Sequence, residues 1–124
     1  GMYVTSDQSG QIYVTDFSNN SANLTTATLI DGRFTDWEYI TGGVHPAIAP
    51  DGSYLISDDG SGYLLVRFRM GNGTWGRMMD LTANGIPASA SIASISPDGK
   101  YLFYSYQGDL YWVSTDLIQN MQEE

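Results

Sequence analysis

Ala49-Pro50-Asp51-Gly52-Ser53-Tyr54-Leu55-Ile56-Ser57 returns 47 residues later as Ser96-Pro97-Asp98-Gly99-Lys100-Tyr101-Leu102-Phe103-Tyr104. Internal repetition at that spacing is the mark of a chain built from successive small sheets. Each copy is preceded by a short apolar run, His45 to Ala49 and Ser91 to Ile95, and followed by an alternating one. The turn chemistry is explicit. Proline presets φ at the second turn position, aspartate accepts from nearby backbone N–H groups, and glycine takes the positive φ that closes the loop. Each copy therefore reads as a hairpin.

A partial third copy opens the chain. Tyr3-Val4-Thr5-Ser6 aligns with Tyr54 to Ser57, and the next strand aligns in all three: Gly10-Gln11-Ile12-Tyr13-Val14, Gly62-Tyr63-Leu64-Leu65-Val66 and Gly108-Asp109-Leu110-Tyr111-Trp112. The strands alternate as a pleated segment must, with Ile12 and Val14 on one face and Gln11, Tyr13 and Thr15 on the other. The pattern places three repeats in one domain over residues 1–124, at roughly 2–32, 44–82 and 90–118, each based on four antiparallel strands. The first lacks its inner strand and the third its outer one. Residues 33–44 depart from alternation, with Phe34, Trp37, Tyr39 and Ile40 crowded into a segment that also carries Asp36 and Glu38. After Val113 a short helix is expected, capped by Ser114 or Thr115 and presenting Leu117 and Met121 on one face.

These residues resemble the TolB-type β-propeller repeats. Their wording is a proline, a few small residues, Ser-Pro-Asp-Gly, an aromatic-rich strand and Gly-Asp-Leu-Tyr, matched here by His45 to Gly52, Ile95 to Tyr101 and Gly108 to Val113. The resemblance implies an all-β chain of propeller blades, with residues 33–44 crossing from one blade to the next and their aromatics filling the space between, and a habit of binding. Members include a periplasmic protein that contacts a lipoprotein and propellers that gate access to attached peptidases, so it also implies a periplasmic or secreted setting. Three blades alone would leave both terminal sheets with bare apolar flanks, which soluble domains avoid. A homodimer that joins two such sets into a six-bladed ring would cover them and satisfy closed symmetry; the rival expectations are a piece of a longer propeller and an open three-sheet arc covered by some other contact.

Composition narrows the chemistry. Fourteen carboxylates stand against five basic side chains, a net charge of −9 that repels phosphate backbones and excludes nucleic acid as a partner. No apolar run approaches the length of a membrane-spanning helix. Without cysteine there is no disulfide and no thiolate ligand or nucleophile, and one histidine with no spaced carboxylate cluster predicts no metal site and no cofactor. Asp58-Asp59-Gly60-Ser61-Gly62 lacks the alternate carboxylates and distal glutamate of a calcium loop and reads as a solvated turn. No Gly-x-Ser-x-Gly elbow is present, and no catalytic residue is assigned. The expected function is a non-catalytic module that binds a protein, peptide or saccharide at the channel mouth or rim. His45 near the axis, with Arg33, Trp37 and Tyr39 on the aromatic segment, are the candidate contacts. The alternative is a lyase or hydrolase acting on polysaccharide at the axis.

Overall fold

The computed structural model describes residues 3–17, 21–58 and 62–122. They form eleven strands in three antiparallel sheets, followed by one helix. Sheet 1 contains β1 (Val4–Ser6), β2 (Ile12–Asp16), β3 (Asn23–Ile30) and β4 (Arg33–Gly42), in that order. Sheet 2 runs β5 (Val44–Ile48), β6 (Tyr54–Asp58), β7 (Leu64–Phe68) and β8 (Met79–Asp80). Sheet 3 is the three-stranded β9 (Ser91–Ile95), β10 (Tyr101–Tyr106) and β11 (Asp109–Ser114), with β10 in the middle. Helix α1 (Asp116–Gln122) follows directly. Every sheet is a meander in which sequential strands pair, and β1, β5 and β9 contact one another in turn at the inner edge. This is the arrangement of propeller-like blades.

The segment read as a crossing is in fact a strand. β4 pairs with β3 from Asn23↔Gly42 to Ile30↔Arg33, so sheet 1 continues to Gly42 and has four strands, not the three expected of a first repeat without its inner strand. Asp31 and Gly32 both have positive φ, 52° and 79°, the two-residue turn whose twist matches the flanking strands. Asp36 is also left-handed, at 57°, and the β3–β4 register shifts at Thr26/Thr28. Such a bulge displaces the alternation by one residue while the pairing goes on.

Two cores lie between the sheets. Tyr13, Leu24, Ile48 and Leu55 fill the space between sheets 1 and 2. The larger core lies between sheets 2 and 3 and includes Tyr54, Ile56, Leu64, Val66, Phe68, Leu102 and Tyr104. Alternation along β6 divides its side chains between the two, Tyr54 and Ile56 to one side and Leu55 to the other. Helix α1 closes the larger core with Ile118 and Met121, while Leu117 is only partly buried. The buried stripe is thus spaced i, i+3, and Leu117 is not its main member. Ser114 Oγ accepts from the Asp116 N–H at 3.1 Å, and Thr115 Oγ1 donates to the Gly99 carbonyl at 2.7 Å, which ties the helix start to the last Pro-Asp-Gly turn.

Candidate functional site

The inner strands bring residues of all three sheets to one place. His45 and Ile92, 47 residues apart in the repeat, both have positive φ, 46° and 54°. A β-branched residue in that region is an outlier that its surroundings must enforce. Here the matching strain opens each inner strand with a bulge, seen as register shifts between Val44/Ala47 and between Phe103/Ser105. Both displaced residues meet Asp58. Its Oδ2 lies 2.6 Å from His45 Nδ1 and accepts from the Ile92 N–H at 3.3 Å. The Asp58 side chain is 4% exposed and that of His45 21%.

A buried carboxylate needs donors, and Asp58 takes them from two sheets. In the neutral imidazole, an Nδ1 that donates to Asp58 makes Nε2 the acceptor. The Tyr3 ring from sheet 1 packs edge-on to the imidazole, 4.2 Å between centroids. The sequence reading of Asp58 as part of a solvated turn is corrected by this burial; positions 59–61 of that turn lie outside the described residues. Among the described residues no group of three or more His, Asp or Glu side chains could hold a metal ion.

Next along β5 from His45, the inner strands line an open groove of about 440 Å³ walled by Val4 to Gln8, Pro46 to Ile48, Pro50, Ala93 to Ile95 and Pro97. β1, β5 and β9 each pair on one side only, so their other backbone edges face this groove.

The other sequence candidates are elsewhere. Arg33 stands at the β3–β4 turn, and Trp37 and Tyr39 lie along β4, 55% and 66% exposed. Trp37 touches Phe34 edge-on, with centroids 6.3 Å apart, and among the described residues no bond or ring contact links Arg33, Trp37 or Tyr39 to His45. The expectation that these aromatics fill the space between sheets does not hold for Phe34, Trp37 and Tyr39, which are exposed. Only Ile40 packs against the core between sheets 1 and 2.

Sequence reasoning also missed a polar latch across that junction. Arg69 donates through Nη2 to the Tyr13 hydroxyl at 2.6 Å and through Nε to the Gly52 carbonyl at 3.0 Å, and lies 4.4 Å over the Trp75 ring. Tyr13, fully buried, donates in turn to Asp7 Oδ2 at 3.2 Å. Burial first, moderated by Arg69 and reinforced by Asp7, pushes its phenol up to about 12, so it remains a donor at neutral pH. Arg67 completes the junction by donating to Thr41 Oγ1 at 3.0 Å and the Gly76 carbonyl at 2.8 Å. Two of the five basic side chains are thereby committed to structure.

No family model matches the chain, and no curated protein matches it either. Solved structures do. Hydrazine synthase of Kuenenia stuttgartiensis superposes with a TM-score of 0.60 at 16% identity, over 92% of this chain and 32% of that one. A luciferin-regenerating enzyme superposes at 0.62 with 13% identity, over 91% of this chain and 41% of its own. The likeness is one of fold alone. The chain thus spans between a third and two fifths of the length of the proteins it superposes on.

Proposed function

We propose that the chain is a TolB-like propeller module that binds rather than catalyses, taking an extended peptide segment in the groove along its inner strands. One observation carries the reading: three strand edges with bare backbone groups converge on a single groove, beside an imidazole whose Nε2 is free to accept. Strand edges recognise extended chains through main-chain hydrogen bonds, and neighbouring side chains select the sequence. His45 is the contact at one end of the groove. Arg33, Trp37 and Tyr39 lie on β4, apart from the residues that line this groove. The His45–Asp58 pair, with the Tyr3 ring against the imidazole, is what favours the alternative reading of a polysaccharide lyase or hydrolase.

Selection of random peptides displayed on phage tests the reading. Peptides enriched on the native chain are expected to lose about tenfold in affinity on His45→Ala, the worth of one hydrogen bond to a partly buried group. Enriched peptides indifferent to His45→Ala, or no enrichment, would overturn it.

The same module is proposed to close as a homodimer. Tyr101, Leu110 and Trp112 stand exposed on sheet 3, at the opposite end of the molecule from Trp37 and Tyr39, so each end of the three-sheet arc offers an apolar flank. Light scattering on a sizing column is expected to give twice the 13.6 kDa chain mass, and Trp112→Glu to reduce it to one chain without unfolding it. A native monomer at all concentrations would sink the ring.

A further inference from the structure

The Pro-Asp-Gly turns that define the repeat also build a second cavity, on the face away from the His45 end of the inner strands. A cleft of about 600 Å³ opens between the turn at Asp51, the turn at Asp98 and helix α1, with Gln8 from sheet 1 at its edge. The turns are in register with one another: a Cβ on Gly99 would lie 3.8 Å from Pro50 Cδ, and the Gln8 N–H donates to the Pro50 carbonyl at 2.8 Å. Gln119 and Gln122, one helical turn apart on α1, supply amides to the opposite wall. Among the described residues no basic side chain lines the cleft.

Tyr54 belongs to the same wall and is 6% exposed. Its hydroxyl is buried and has no hydrogen-bond partner among the described residues. Native proteins seldom leave a buried hydroxyl unpaired, because it forfeits its water bonds without replacement. Asp51 lines the same cleft. Burial first and Asp51 second push the Tyr54 phenol up to about 12, so it keeps its proton at neutral pH. Asp51 Oδ1 accepts from the Ser53 N–H and Asp98 Oδ1 from Ser96 Oγ and the Lys100 N–H, at 3.0, 2.6 and 2.9 Å, and the second oxygen of each carboxylate has no partner among the described residues.

We infer that this cleft is a binding site for a neutral saccharide, whose hydroxyls would bond Tyr54, Asp51, Asp98 and the amides of Gln119 and Gln122. A hydroxyl is the group that answers this lining, since it donates to a carboxylate and accepts from a protonated phenol at once. An ammonium ion would satisfy the carboxylates but leave the phenol proton bare. An anion would meet two carboxylates and no cation. The cleft adjoins the peptide groove at Gln8 and Pro50, while Tyr54, Asp51, Asp98, Gln119 and Gln122 line the cleft and not the groove, so loss of sugar binding by Tyr54→Phe and loss of peptide binding by His45→Ala distinguish the two readings.

The test is a titration of the ¹⁵N-labelled chain with cellobiose, lactose and mannobiose, and with ethylammonium as the cationic control. At least one disaccharide is expected to give saturable shifts at Asp51, Tyr54, Gln119 and Gln122. Tyr54→Phe should weaken that binding about tenfold, the worth of one such bond. Because the hydroxyl is unpaired in the free chain, Tyr54→Phe should unfold at the same temperature as the native protein or higher, so that lost binding reports the site and not lost folding. No saturable shifts with any of the three sugars, shifts confined to the inner groove or β4, undiminished binding by Tyr54→Phe, or shifts with ethylammonium alone would each overturn the inference.

Discussion

Ile56→Ala is expected to destabilise the fold by about 3 kcal/mol, the range found when a buried aliphatic side chain is cut to a methyl. Ile56 is fully buried at the centre of β6, on the side of sheet 2 that meets sheet 3, among Leu64, Val66, Leu102 and Ile118. The loss has two parts: the transfer free energy of the removed carbons, and a cavity that cannot collapse because β6 is held on both sides by β5 and β7. Chemical denaturation followed by tryptophan fluorescence should show the midpoint falling with the slope unchanged. Leu110→Ala is the control, since Leu110 is 73% exposed and its truncation should cost the single chain under about 0.5 kcal/mol. A loss below about 1 kcal/mol for Ile56→Ala would mean that sheets 2 and 3 do not pack as described.

Arg69→Ala should cost about 2 kcal/mol, and its cost should fall by about half in a Tyr13→Phe background. The guanidinium is the donor to the buried Tyr13 hydroxyl and to the Gly52 carbonyl, and it covers the Trp75 indole. Hydrogen bonds from a charged donor are stronger than neutral ones, and removing one partner leaves the other buried and short of a bond. A double-mutant cycle isolates the Arg69–Tyr13 share, expected at about 1 kcal/mol or more for groups in direct contact. Additive single effects would show that the arginine acts through Gly52 and Trp75 alone.

The repeat made much of this architecture readable. Pro50-Asp51-Gly52 and Pro97-Asp98-Gly99 lie at hairpin turns, and the strands on either side of each are β5 and β6, then β9 and β10. Three sheets and a terminal helix were legible because turn residues and alternation agree there. β4 was not. The left-handed Asp36 shifts the side-chain phase in mid-strand, so a reader who looks for strict alternation sees a break where the pairing continues. The helix face was misjudged by one residue, since Leu117 and Ile118 are equally apolar and only the neighbouring core decides which is buried.

Of the candidate site, His45 was found from its rarity and its place before the inner strand, whereas its partner Asp58 was hidden in a run of turn residues. Nothing local marks that aspartate as buried; the bulges at His45 and Ile92 that aim donors at it come from the packing of three sheets. Tyr54 was read as an ordinary alternating strand residue, and only the unpaired hydroxyl distinguishes it.

The two junctions of the arc are made of different materials, and that gives the molecule a weak seam. Sheets 2 and 3 share a broad apolar contact that the terminal helix seals, while sheets 1 and 2 share a small one riveted by two arginines. Apolar adhesion fades on cooling, and short polar rivets give way within a fraction of an ångström of travel. Under mechanical load between its ends the arc is therefore brittle at the first junction and yielding at the second. Sheet 1 is the part that would swing away whole, with sheets 2 and 3 and the helix remaining as one body.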